Sequence, residues 1–222
     1  NILKDRRVDG MIYMGKTYDQ QRVDLLGDCD FPIVVISREE SEIDYPTVNI
    51  NNYQAAYDMT NYLIEKGYQK IAFIGGPEED TTAGLKREQG YKQALVDHEI
   101  ECNVDLMVNG NFTLKSGYQG MESILANQQT PEAVFAANDE MAVGAMRKIK
   151  EEDYSIPEDI AVAGFDNISL VDYVEPKLTT VVQPVYELGK KGIDTLLSLI
   201  RGEKLDNNDI ILDYDIVKRE ST

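Results

Sequence analysis

Apolar runs of strand length alternate with amphipathic runs of helix length along the 222 residues. That rhythm predicts an α/β fold assembled from βαβ units around parallel sheet. Two strand ends sharpen the reading. Val134-Phe135-Ala136-Ala137 runs into Asn138-Asp139, where a helix begins at once, and Ala161-Val162-Ala163-Gly164-Phe165 runs into Asp166-Asn167. In open α/β sheets, ligands collect where strands stop at their carboxyl ends. A chain of this length fills one large domain or two lobes of about 100 residues each. Length and alternation together favour two similar lobes, though periodicity does not show where the chain crosses between them.

Taken in order, Val8 to Met14 reads as a strand, Gln20 to Leu26 as a helical patch, and Pro32 to Ile36 as the next strand. Thr47 to Ile50 is a short strand leading into a helix from about Tyr53 to Lys66. That helix has Ala55, Ala56, Met59, Tyr62 and Leu63 near one face and Gly67 as its stop. Strand Lys70 to Ile74 and a helix from Thr82 to His98 follow. The second half continues with strand Leu106 to Val108, helix Lys115 to Ala126, strand Ala133 to Ala136 and helix Asp139 to Glu151. Strand Ile160 to Gly164 comes next, then an irregular stretch to Thr180–Pro184 and a long helix from Val185 to Arg201. Gly202 ends that helix, and Ile210 to Val217 is extended.

Composition narrows the function classes. A net charge of −18 argues against this segment gripping nucleic acid, because phosphate contacts need clustered Lys and Arg. No apolar run approaches the roughly 18 residues that span a bilayer. The opening Asn1-Ile2-Leu3-Lys4-Asp5-Arg6-Arg7 reads as a charged helix tail rather than a targeting leader, and its abrupt start predicts native sequence ahead of it. Cys29 and Cys102 are isolated thiols at unrelated spacing, which fits a reducing cytosol and makes no metal motif.

Catalytic constellations are missing from the linear pattern. His98, the only histidine, sits at a helix end beside Glu99 and reads as a C-terminal cap. One such histidine builds no Ser-His-Asp or Cys-His pairing. Gly75-Gly76-Pro77 lacks the endings of a P-loop or a dinucleotide fingerprint, so it reads as a tight turn onto a crevice loop. Acidic clusters such as Glu78-Glu79-Asp80 and Glu151-Glu152-Asp153 read as solvated faces. Asn111-Phe112-Thr113 and Asn167-Ile168-Ser169 match a glycosylation pattern that means little in a cytosolic chain. The expectation is therefore no enzyme, no metal and no cofactor.

What remains is a polar set at strand ends: Asn49, Asn138, Asp139, Asp166 and Asn167, with Arg87 on a helix that begins beside the Gly-Gly-Pro loop. Amides and carboxylates of this kind bind vicinal hydroxyls through paired acceptors or a donor–acceptor fork. The competing reading of Asn138-Asp139 is a helix N-cap and nothing else. Phe135 can stack under a ring, or it is simply core.

An ordered series of phrases resembles the lactose-repressor (LacI/GalR) family of bacterial transcription regulators. It runs through Val8-Asp9-Gly10-Met11-Ile12, Val48-Asn49-Ile50-Asn51-Asn52, Gly67-Tyr68-Gln69-Lys70-Ile71-Ala72-Phe73-Ile74-Gly75-Gly76 and Arg87-Glu88-Gln89-Gly90-Tyr91. It continues through Ala137-Asn138-Asp139-Glu140-Met141-Ala142-Val143-Gly144, Ile156-Pro157-Glu158-Asp159-Ile160, Gly164-Phe165-Asp166-Asn167, Leu178-Thr179-Thr180-Val181 and Gln183-Pro184. The wording is similar to the catabolite control protein A branch over Thr180–Gly189 and Arg219-Glu220-Ser221-Thr222.

The resemblance implies two Rossmann-like lobes of the periplasmic-binding-protein type with parallel sheets. Residues 1–50 plus 184–212 form the N-terminal lobe, and 51–183 plus 213–222 the C-terminal lobe. It implies that the first lobe is incomplete at its start, by on the order of 30 residues or more, and that a helix-turn-helix headpiece reading operator DNA is absent. It further implies a cytoplasmic homodimer that senses a small molecule, a sugar or sugar derivative, in the interlobe cleft and acts as a repressor. Asn138, Asp166 and Arg87 match family positions that face the effector, while Leu85 falls where sugar-responsive members carry arginine. Two rivals follow from the same comparison. One is a periplasmic sugar-binding protein. The other is a catabolite regulator whose corepressor is a serine-phosphorylated phosphocarrier protein, met by Tyr186, Glu187, Lys190 and Lys191. Asp194 and Asp215 stand at two arginine positions of that branch, and a carboxylate repels phosphoserine.

Overall fold

The computed structural model describes residues 8–14, 29–37, 45–78, 80, 83–127 and 130–222. The expected helix at Gln20–Leu26, the charged stretch Asn1–Arg7, Glu79 and the expected helix start at Thr82 lie outside them. In chain order the elements are β1 (Met11–Tyr13), β2 (Ile33–Ile36), β3 (Thr47–Ile50), α1 (Asn52–Glu65), β4 (Ile71–Gly75), α2 (Ala83–Asp97) and β5 (Met107–Asn109). Then follow α3 (Leu114–Ala126), β6 (Ala133–Ala136), α4 (Asp139–Glu151), β7 (Ala161–Asp166), β8 (Thr179–Val182), α5 (Val185–Ile200), β9 (Asp209–Leu212) and β10 (Asp215–Val217). The extended end is thus two strands, and they join different sheets.

The chain divides into two compact units, Asn1–Asn51 with Pro184–Asp213, and Asn52–Gln183 with Tyr214–Thr222. Among the described residues the first unit holds a parallel sheet in the order β1-β2-β3-β9. Every residue of β2 and β3 is buried, as expected for inner strands of a parallel sheet. Leu188, Leu196 and Leu199 of α5 recur at helical spacing and pack with Ile12, Val34, Ile36 and Val48. Gly192 lets this helix approach the sheet, since a Cβ there would run into the Ile36 side chain.

In the second unit the order is β10-β8-β7-β6-β4-β5, parallel except for β10 against β8. From β4 the chain steps outward to β5 and then returns to β6 on the other side of β4. This reversal makes the carboxyl ends of β4 and β6 a topological switch point. Helix α1 packs on α2 and α3 on α4, and right-handed crossovers put α2 on the opposite sheet face from α3 and α4. Phe73 lies at the centre, stacked on Tyr91 at 4.8 Å and edge-on to Phe135 at 5.5 Å. The Tyr91 hydroxyl donates to the Ile71 carbonyl at 2.8 Å. His98 contacts the Ala94 carbonyl through Nδ1 at 2.9 Å, at the end of α2. No helix among the described residues is long and apolar enough to cross a membrane.

Asp139 ties three elements of this unit together. Its residue is fully buried. Oδ1 accepts from the Thr180 hydroxyl at 2.5 Å, and Oδ2 accepts from the Ile168 amide at 2.8 Å. Gly164 makes room for it, because a Cβ at that position would strike Oδ1. Burial pushes the Asp139 carboxyl up to about 7, against the pull of its hydrogen bonds from Thr180, Ile168 and Asn167. The expectation that Asp139 touches an effector is therefore corrected: a carboxyl enclosed to this degree binds its own fold.

A carboxyl whose folded value lies above its ordinary one adds stability that is complete below about pH 4 and lost as pH rises through about 7. Asp139→Asn should therefore flatten the fall in melting temperature between pH 4 and 7, whereas parallel pH curves would contradict this. Two helix glycines give predictions of opposite sign. A Cβ at Gly144 would land on the Leu114 carbonyl oxygen, so Gly144→Val should cost about 3 kcal/mol in denaturant unfolding. Gly189 in α5 has nothing within 4 Å of such a Cβ, so Gly189→Ala should gain about 0.5–1 kcal/mol.

Candidate functional site

The strand ends at the switch point converge on Arg87. This residue projects from α2 and is only 4% exposed. Its Nε donates to Asn52 Oδ1 at 3.0 Å and Nη1 to the Ala137 carbonyl at 2.6 Å, just past β6. Nη1 also lies 3.5 Å from Asp166 Oδ1 at the end of β7, and the guanidinium sits 3.6 Å over the Phe165 ring. An unpaired charge buried this deeply would cost several kcal/mol. The carboxylate, two oxygen acceptors and a ring face offset that cost and lock α1, α2, β6 and β7 to one another.

Asp166 is the exposed member of the pair, with a quarter of its side chain open. Gln183 Nε2 donates to Oδ1 at 2.6 Å, while Oδ2 receives no hydrogen bond from the described residues. Burial pushes this carboxyl up, held back by Arg87 and the Gln183 amide, and the Glu140 charge adds to the rise. The backbone here is unusual: φ is +113° at Asp166 and +55° at Asn167. Asn tolerates the left-handed region, but Asp at +113° carries strain on the order of 1–3 kcal/mol. A strained residue with an open carboxylate oxygen at a strand end has the geometry of a hydroxyl acceptor.

Asn138 is the N-cap of α4. Its Oδ1 accepts from the Met141 amide at 2.9 Å, and Nδ2 donates to the Phe112 carbonyl at 3.1 Å. Capping and ligand contact are compatible, because an amide oxygen has a second lone pair and the nitrogen a second hydrogen. Phe112 itself is missed by sequence reading. It stands at φ +62° in the loop after β5, with its ring so close to Gly76 that a Cβ there would collide with it. The ring is the aromatic surface of this edge. Phe135, expected as a possible stacking platform, is fully buried against Phe73 and belongs to the core. Gln183 is the second missed residue, since an extended segment before a proline gives no sign that it will reach Asp166.

Asn49 lies in β3 of the first unit, 1% exposed, in register with Ile211. It is enclosed there rather than offered to a ligand. Tyr186, Glu187, Lys190 and Lys191 form one exposed stretch on the first turns of α5, and Asp194 is exposed one turn further on. Among the described residues no cluster of His, Cys, Asp and Glu is arranged to hold a metal ion.

Residues 60–222 match the family profile of a periplasmic binding protein-like domain. The transcriptional regulator RegA of Clostridium saccharobutylicum is 32% identical over 221 residues, covering 100% of this chain and 67% of the relative. The chain thus spans about two thirds of the length of the curated relatives it matches. Among solved structures, the regulator CcpA of Lactococcus lactis superposes with a TM-score of 0.91 at 31% identity, over 99% of this chain and 80% of that one. The regulator CelR in complex with cellobiose also gives 0.91, at 32% identity, over 98% and 67% of the two chains. These relatives are transcription regulators and not enzymes. The polar strand ends are thus set in a fold and sequence shared with regulators along the whole of this chain, and the chain belongs to the LacI/GalR family of bacterial transcription regulators.

Proposed function

We propose that this chain is the effector-sensing core of a cytoplasmic, homodimeric repressor, and that its effector is an uncharged polyhydroxyl compound, a sugar or close derivative. The observation that carries the reading is the open Oδ2 of Asp166, aimed from the end of β7 beside the buried Arg87. A carboxylate oxygen accepts from vicinal hydroxyls, the Asn138 amide adds a donor–acceptor fork, and the Phe112 ring offers an apolar face for C–H groups. Charge selects against phosphorylated sugars. Arg87 is already neutralised by Asp166, and Glu140 adds negative charge to the same edge. The cellobiose bound by the related regulator is consistent with such chemistry.

Binding is coupled to operator affinity through a helix-turn-helix headpiece, and a coupling of about 1–3 kcal/mol is enough for a switch of this kind. The corepressor reading ranks second. Tyr186, Lys190 and Lys191 are exposed and the fold matches CcpA, but Glu187 and Asp194 share that surface and oppose phosphoserine.

Glucose, ribose and cellobiose should be compared with glucose 6-phosphate and ribose 5-phosphate by thermal shift. A neutral sugar at 100 times its dissociation constant stabilises by about 2.7 kcal/mol, which is roughly 5–11 °C for a chain of this size. A larger shift from a phosphate ester than from its parent sugar would overturn the charge argument. Asp166→Ala should weaken the responsive sugar by about 10- to 150-fold in calorimetry. An unchanged affinity in that variant would remove the site assignment.

A further inference from the structure

The Asp166–Asn167 turn is gripped from two sides, by Asp139, whose expected ligand contact the fold replaces with an internal tie, and by Arg219, which lies outside the expected set. Beneath it, the Asp139 carboxylate accepts from the Asn167 and Ile168 amides and from Thr180 Oγ1. Beside it, Arg219 Nη2 donates to Asn167 Oδ1 at 2.9 Å, while Nη1 donates to the Leu178 carbonyl at 2.7 Å. Arg219 is anchored in turn: its own amide donates to Thr179 Oγ1 at 2.8 Å. Two residues on, the Ser221 hydroxyl donates to the Val162 carbonyl at 2.6 Å and accepts from the Thr179 amide at 2.8 Å. The C-terminal segment is therefore stitched to β7 and β8, and its arginine is a fixed strut rather than a mobile surface charge.

We infer that Asp139, Thr180 and Arg219 are positioning residues, whose joint clamp holds Asp166 and Asn167 at positive φ and so aims the Asp166 carboxylate. The two grips are complementary. Asp139 fixes the direction of the amides that follow Asp166, and Arg219 fixes the side chain of the next residue. A turn with φ of +113° at an aspartate has an intrinsic tendency to relax toward negative φ. Relaxation would swing the carboxylate away from Gln183 and Arg87, which meet it only through Oδ1. The inference rests on the reading of Asp166 as an effector contact for its functional meaning, but the clamp is testable without any ligand.

Amide hydrogen exchange on the full chain separates the two questions. In Arg219→Met, which keeps an unbranched side chain but removes every side-chain donor, exchange at Asn167 and Ile168 should rise at least tenfold. Amides of α3, which the clamp does not touch, should stay unchanged. Arg219→Lys, which retains one donor for Asn167 Oδ1, should restore most of the protection. Affinity for the neutral sugar giving the largest melting shift should fall at least tenfold in the Met variant and recover in the Lys variant. Thr180→Val provides a second, near-isosteric lesion should the first variant fold poorly. Unchanged exchange at the turn in both Arg219→Met and Thr180→Val would overturn the clamp, as would a rise spread evenly over all amides. A turn loosened in the Met variant, together with a wild-type chain that responds to none of the sugars, would sustain the clamp and remove the sugar-sensor reading instead.

Discussion

A guanidinium buried to 4% exposure is the constraint around which the second unit is organised. Water gives up Arg87 only if its charge and donors are met inside the protein. The partners come from separate parts of the chain: Asn52 at the start of α1, the carbonyl after β6, Asp166 at the end of β7 and the Phe165 ring. Each is useless unless the others are in place, so the arginine sets the register of the strand ends. The same demand leaves Asp166 with one oxygen committed and one open. Structural and binding roles are thus divided between two atoms of one carboxylate.

Close helix packing serves the same end. Gly90, Gly117 and Gly144 bring helix backbones into contact within the α1–α2 and α3–α4 pairs, where any side chain would strike main-chain atoms. Helices held this tightly cannot slide, and α2 carries Arg87 while α4 begins at Asn138. Precision at the polar edge is therefore inherited from apolar layers several residues away. Asp139 extends the idea into polar chemistry, since it replaces a ligand contact with an internal tie.

Much of this was legible in the sequence, and the gaps have physical causes. Strands β3 and β6 and helix α4 stand where periodicity puts them, because their apolar runs are bounded by caps and strand-end polar residues. The strand-end motif also pointed to Asn138, Asp166 and Arg87, which the fold gathers on the carboxyl edge of one sheet. The errors concern burial depth and long-range contacts. Phe135 and Asp139 looked like candidates by position, but the pleat turns one into the core and the packing of β8 covers the other. Asn49 has the right chemistry in a fully buried strand. Phe112, Gln183 and Arg219 owe their importance to partners far away in sequence, at separations of 26, 17 and 52 residues. No local pattern encodes such pairs.

The central claim is that the open oxygen of Asp166 receives hydroxyls of an uncharged ligand at the switch point of this sheet. A crystal structure of the chain grown with the neutral sugar that stabilises it most tests this directly. The account predicts a sugar hydroxyl within hydrogen-bonding distance of Asp166 Oδ2, with the Phe112 ring against a face of the sugar. Density for the sugar away from Asp166, with the Asp166–Arg87 pair untouched, would contradict it.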